Sequence, residues 1–418
     1  MSIGTRAIRA VIISSALAAA GAANAATVEV LHWWTSGGEA QAVKSLKKTL
    51  ETQGDTWKDV AVAGGGGDNA DTVLKSRVVS GSLPTAAQIK GPSIQEWGAQ
   101  GVLADLGDTP KAGNWDALLP PVVSKVMKFQ GKYVAVPVNV HRVNWMWVNP
   151  AAFKTAGVEV PKTWAEFPAA ADKLMKAGII PVAHGGQPWQ DFTLFESIAL
   201  GVGGPAFYQK AFVSLDQATL KSPTMEKAFE TLRMVRGYID KDAANRDWNL
   251  ATAMVINGKA AMQFMGDWAK GEFTNAGKVP GKDYLCLPAP DTANAFTFNI
   301  DSLMLFKQKS ADGQKAVKDL AESVMNPAFQ ETFNLAKGSI PARLDVKLDK
   351  FDDCAKRSSQ EFVAASKDAT LVPSVAHKMA APEAVSGGMQ DVVTQFFNSP
   401  SMTPKAATEK LALAARAG

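Results

Sequence analysis

The stretch Val28–Leu50, "VEVLHWWTSGGEAQAVKSLKKTL", decides how the chain is read. It opens on the strand-like run "VEVLHWW" and passes through small residues into Glu39–Leu50, where Val43, Leu46 and Leu50 fall at helical spacing with lysines opposite. The pattern then repeats. "DVAVAGG" (59–65) reads as a second strand, and "NADTVLKSRVVSG" (69–81) as a second helix started by Asp68 or Asn69 and stopped by Gly81. "AAQIKG" (86–91) is a third strand. Strand and helix in alternation predict a parallel sheet covered on both faces, which forms a first lobe.

The alternation breaks at "GKYVAVPVNVHRVNWMWVNP" (131–150), a long extended stretch with Pro137 in its middle, which argues against a central strand. It reads as a crossover to a second lobe. There "PKTWAEFPAAADKLMKAG" (161–178) starts a helix with the capping box Thr163 and Glu166 and ends it at Gly178. Up to about residue 275 the pattern is mostly helical, with strands at "IIPVAHGG" (179–186) and "AAMQFMGDW" (260–268). "FTFNIDSLMLF" (296–306) reads as one more strand, followed by helices near 311–326 and 327–337 and a helical C-terminal segment from about 355. No repeat or low-complexity linker separates the lobes, so more than one crossing joins them.

The N-terminus, "MSIGTRAIRAVIISSALAAAGAANA", sets Arg6 and Arg9 ahead of a short apolar run ending in Ala23-Asn24-Ala25, the pattern of a cleaved export signal over residues 1–25. Removing it takes the formal charge of +4 to about +2. No basic run resembles a phosphate-binding footprint, so nucleic acid is not an expected partner. Cys286 and Cys354, the only cysteines, are expected to pair in the oxidising compartment such a signal leads to. The four histidines and two cysteines lack ligand spacing, so no metal is expected. "AGGGGDNAD" (63–71) lacks the lysine and hydroxyl residues of a phosphate loop and reads as a flexible turn before a helix.

In an α/β sheet, ligands bind beyond the carboxyl ends of strands, where Trp33 and Trp34 fall. Both rings can meet one ligand only if the strand is already turning, which Gly37 and Gly38 permit, and Glu39 then sits at the helix start. The chain has eleven tryptophans and four tyrosines. Aromatic faces beside carboxylates, lysines and amides match a neutral pyranose, whose C–H faces stack while its hydroxyls donate and accept. Such a site requires no cofactor.

With these features, "LHWWTSGGE", "LPTAAQIKGPSIQEWGAQG", "VPVNVHRVNWMWVN", "MQFMGDW" and "AKGSIPAR" resemble the maltose-type extracellular solute-binding proteins of bacterial ABC sugar transporters, most nearly the glucose-binding members. The resemblance implies an α/β, two-lobed periplasmic-binding-protein fold, each lobe a sheet flanked by helices, joined by several hinge crossings. It implies lobe 1 at 26–138 with 299–345 returning to it, and lobe 2 at 141–296 with 350–418 returning. The implied function is capture of an aldohexose, D-glucose first, with galactose or mannose also possible, by a periplasmic monomer that serves a membrane permease and has no enzymatic activity. Carried across residue by residue, the implied contacts are Trp33, Trp34, Glu39, Lys90, Trp268, Asp301, Lys337 and His377, with Asn139 and His141 on the crossover. The competing expectation is a secreted glycoside hydrolase using Glu39 and Asp301 as acid and nucleophile.

Overall fold

A computed structural model of the chain describes residues 25–416. Apart from Ala25, the expected export signal lies outside these residues. β1 (Thr27–His32), α1 (Gly37–Thr52), β2 (Thr56–Ala61), α2 (Asp68–Val79) and β3 (Ala86–Ile89) follow in the predicted order. β1 lies between β2 and β3 and is parallel to both. Val28, Val30 and Leu31 are buried in β1, and α1 lays Val43, Leu46 and Leu50 into the same core. Burying each such side chain contributes roughly 1.5–3 kcal/mol before entropy is counted.

Two further strands join this sheet from far along the chain. Ser302–Leu305 runs antiparallel to β3, and Ala135–Pro137 lies antiparallel on its outer side. The sheet is therefore mixed, not wholly parallel, because the chain leaves it and re-enters in the opposite direction. Pro137 ends an edge strand, where a missing N–H is tolerated. The second sheet orders Leu285–Pro288, Trp145–Val148, Ala260–Phe264 and Ile180–Val182. Helices Pro188–Tyr208, Pro223–Arg236 and Glu383–Asn398 cover it and pack Phe195, Phe229 and Phe396 against one another.

"FTFNIDSLMLF" is two strands, not one. Phe296–Asn299 pairs with His141–Arg142 and Leu371–Pro373 in a small third sheet, while Ser302–Leu305 belongs to the first. Ile300 between them is fully buried, and burial runs unbroken from Phe296 to Phe306 across the change of sheet. Here the lobes are joined: Asn299 lies opposite His141 in register, and Val140 bridges Ile340. The crossings place Asp301 and His141 side by side.

Cys286 is bonded to Cys354 on helix Asp353–Lys367. That helix straddles the lobes: Ala355, Phe362 and Ala365 join the first core, whereas Cys354 packs with the second-sheet residues Trp145 and Trp147. The bond spans 68 residues and restricts the unfolded chain. Its reduction should cost about 2–4 kcal/mol of stability in denaturant unfolding while the secondary structure persists. Two titratable thiols in the oxidised native protein, or an unchanged unfolding midpoint after reduction, would contradict this.

Candidate ligand-binding site

β1 ends at His32, and two side chains catch the backbone beyond it. Gln88 Oε1 accepts the Trp33 N–H at 3.1 Å, and His32 Nδ1 accepts the Trp34 N–H at 3.2 Å. The indoles then diverge. Trp33 lines a cavity of about 320 Å³ between the lobes, at the small end of the range for ligand pockets. Trp34, 2 % exposed, turns into the first core, edge-on to Phe333, and donates from Nε1 to Asp301 Oδ2 at 3.2 Å. The expectation that both rings face one ligand is corrected: strand alternation still governs the pair, and Gly37 and Gly38 come too late in the chain to turn both rings one way.

Ser36 caps α1 and forms a capping box with Glu39. Glu39 Oε2 accepts the N–H groups of Thr35 and Ser36 at 3.1 and 3.3 Å, and Oε1 accepts from Lys337 Nζ at 2.8 Å. The carboxylate thus starts the helix and lines the cavity as well, together with Lys337 from the end of helix Pro327–Lys337. Asp301 Oδ2 accepts from His141 Nε2 at 3.0 Å, and His141 Nδ1 is bonded to Asp267. Burial opposes charge on both partners. It is outweighed: Asp267 and Asp301 hold the His141 pKa up, and His141, Lys90 and Lys337 hold Asp301 well below the usual carboxylate range. Asn139 does not reach the cavity; its amide oxygen accepts the Asp301 N–H at 3.1 Å and so orients that carboxylate.

Lys90, just past β3, is buried, and burial lowers its pKa. Its ammonium sits 4.9 Å over the Trp33 ring and, among the described residues, makes two long contacts of 3.5 Å, to Gly66 O and His377 Nδ1. No described carboxylate forms an ion pair with it, so donor capacity is left facing the cavity. Thr193 gives its hydroxyl hydrogen to Trp189 O at 2.8 Å and must therefore accept from His377 Nε2 at 3.4 Å. His377 Nδ1 is left as an acceptor. Burial first, then Lys90, hold the His377 pKa well down, so the ring is neutral. Trp268 meets His141 and His377 edge-on at 5.1 and 4.7 Å and completes that wall.

Sequence reasoning missed Trp189, Trp248, Asn299 and the loop Gly64–Gly66, all of which line the cavity. Trp189 follows "HGGQP" at a helix start, where a strand end, glycines and an aromatic come together as they do, in another order, around Trp33. The glycine run is a turn before α2, as expected, and it is also a wall. At Gly66 and Gly67, both with positive φ, a Cβ would stand 3.1–3.2 Å from the Trp189 and Trp33 rings. Asn299, three residues along from Phe296, carries a buried Oδ1 with no hydrogen-bond partner among the described residues. Counted with His141 as imidazolium, the charged residues that line the cavity are Glu39, Asp247 and Asp301 against Lys90, Lys337 and His141. They balance.

Residues 35–331 match the family of bacterial extracellular solute-binding proteins. A probable sugar-binding periplasmic protein of Rhizobium meliloti (strain 1021) is 47% identical over 396 residues, covering 95% of each chain. Among solved structures, the bacterial solute receptor AcbH, described as having an exclusive preference for β-D-galactopyranose, superposes with a TM-score of 0.78 at 19% identity, covering 92% of this chain and 97% of its own. A chitin oligosaccharide binding protein does so with a TM-score of 0.76 at 22% identity, covering 94% and 98%. At those identities the structural likeness speaks to the fold, two lobes around a cleft. The match over residues 35–331 and the relative of near-equal length carry the assignment: the chain belongs to the bacterial extracellular solute-binding protein family.

Proposed function

We propose that the chain, exported to the periplasm and acting as a monomer, captures an aldohexose between its lobes and presents it to the permease of an ABC sugar transporter. D-glucose is the first candidate, with galactose and mannose next. The observation that carries this reading is the cavity itself, where balanced charges meet aromatic walls. A net charge of zero favours a neutral ligand, since an ionic one would be buried without a counter-charge. Trp33, Trp189, Trp248 and Trp268 offer faces for sugar C–H groups, and Lys90 and Asn299 Oδ1 have hydrogen-bonding capacity to spare. A hydroxyl of the wrong configuration leaves those groups unmet, which is the source of specificity. Several such bonds plus stacking amount to about 8 kcal/mol, a roughly micromolar dissociation constant.

The hydrolase reading has less support. A glycosidase acid must offer a proton to the leaving group, whereas both Glu39 oxygens are engaged as acceptors, Oε1 from Lys337 and Oε2 from two amides, and Asp301 Oδ2, on the proposed nucleophile, is taken up by His141 and Trp34. We therefore read the site as one of binding without turnover.

Calorimetry with a panel of neutral mono- and disaccharides and sugar acids tests the function. Neutral aldohexoses should bind one to one, with an affinity that changes little between low and high salt; tighter binding of a sugar acid than of its neutral parent would count against the reading. Hydrolysis of aryl glycosides that disappears in Glu39→Gln would defeat it in favour of the enzyme. The two adjacent indoles should behave differently. Trp33→Ala should weaken hexose binding by about 1–3 kcal/mol with little loss of stability, and Trp34→Ala should cost about 3–5 kcal/mol in unfolding. Equal stability costs for the two variants would contradict the placement of Trp33 at the cavity and Trp34 in the core.

A further inference from the structure

Glu196, in the middle of helix Pro188–Tyr208, is completely buried in the second lobe, and none of its hydrogen-bond partners is a cation. Its carboxylate faces a ring of donors. Ser374 Oγ lies 2.6 Å from Oε1, and the N–H groups of Val375 and Ala376 reach Oε2 at 2.8 and 3.3 Å. The Tyr208 hydroxyl stands 2.9 Å from Oε2 and 3.0 Å from Pro373 O, and its one hydrogen can serve only one of them. Ser374 Oγ in turn accepts the His377 N–H at 3.2 Å. Every partner thus belongs either to this helix and its end or to the turn at 373–376. The next residues of that turn cross the lobe boundary: His377 enters the cavity beside Lys90, and Lys378 forms ion pairs with Asp68 and Asp71 of α2 at 2.9 and 2.8 Å.

We propose that Glu196 is a positioning residue whose carboxylate grips the 374–377 turn from beneath and so fixes His377 in the ligand cavity. A carboxylate accepts from all these donors at once, and bonds to an ionised acceptor are roughly twice as strong as neutral ones. Once protonated, the group must use one oxygen as a donor. If Oε2 carries the proton it donates to Tyr208, which turns its own hydrogen to Pro373 O, and Val375 and Ala376 lose their acceptor. The turn is then held more loosely, and the imidazole it carries with it.

Burial lifts the Glu196 carboxyl to about 7, against partial opposition from Ser374 and the two amides, so the change falls near neutral pH. Two titratable groups beside it do not share that transition: Tyr208 is raised well above its usual value, and His377 is held neutral. The sign of the linkage separates positioning from mere support. Because the folded group binds its proton more tightly than the ordinary 4.5, its contribution to stability is greatest in acid and falls as pH rises through 7. The grip on the turn strengthens over the same rise. A purely structural role would move stability and affinity together, whereas positioning moves them apart.

The test compares the wild-type chain with Glu196→Gln between about pH 6 and about pH 8, reading hexose affinity by calorimetry and the His377 ring-nitrogen shifts of the ligand-free protein by NMR. In the wild type, affinity should weaken about threefold or more toward acid, the scale of one weakened hydrogen bond to a charged group. The His377 shifts should move over the same range although the ring stays neutral. Glu196→Gln should bind about as weakly at both ends as the wild type does at the acid end, without that transition in the shifts. Should it fail to fold, Glu196→Asp keeps the charge on a shorter arm, and weaker binding with the transition retained supports the proposal. Flat His377 shifts and flat affinity in the wild type, or Glu196→Gln matching the wild type throughout, would overturn it. The proposal's affinity arm rests on the sugar reading, but its NMR arm does not: shifts that move near neutrality in a protein that binds no sugar would sustain the positioning role and end the sugar reading.

Discussion

A carboxylate that must remain ionised out of water needs a partner, and Asp301 meets this constraint at the place where the chain crosses between the lobes. Isolated, its burial would cost several kcal/mol. His141, set opposite Asn299 on the other crossing, supplies one positive partner and is itself held by Asp267 on the second-lobe side. The pairing explains much of the local architecture. It needs the run 296–305 to change sheets at Ile300–Asp301, it draws the Trp34 indole inward to a second hydrogen bond, and it employs Asn139 to fix the carboxylate from behind. First lobe, second lobe and crossings meet in one chain of hydrogen bonds.

The same logic extends across the cavity. Glu39 and Lys337 neutralise one another, and Lys90 offsets the remaining acidic charge from above the Trp33 ring. A low-dielectric pocket with internal charges paired strengthens hydrogen bonds to a guest without favouring either sign of guest charge. The aromatic rings exclude water around those groups. Lobe contacts outside the cavity are just as close: Glu272 accepts the Gly38 N–H at 2.8 Å at the start of α1, and a Cβ at Gly91 would strike Lys378 O at 2.3 Å. These contacts join the two lobes beside the cavity.

Much of this was legible in the residues, and the failures have physical causes. The first sheet, its helices and the helix start at Glu39 follow from local periodicity and turn chemistry, which sequence carries directly, whereas Thr163 and Glu166 exchange their bonds in the turn that precedes helix Phe167–Lys176 and do not cap it. The two strands within 296–306 read as one because the chain stays extended and buried through Asn299, Ile300 and Asp301, and the change of sheet is set by pairing partners distant in sequence. Trp34 was misplaced because the glycines that free the backbone lie after Thr35 and Ser36, beyond the reach of the indole pair. Trp189, Trp248 and Asn299 come from the second lobe or the crossing, and only the folded arrangement brings them opposite Trp33. The glycine run at 64–67 has a local reading as a turn; that it also admits two indole faces is a tertiary fact.

The most direct test of the account is a crystal structure of the chain grown with D-glucose in excess. The account predicts one pyranose enclosed between the lobes, its ring against indole faces that include Trp33, with Lys90 and Asn299 bonded to its hydroxyls and the pairs Glu39–Lys337 and Asp301–His141 intact. An empty cavity in closed lobes, or an ionic guest in place of the sugar, would contradict it.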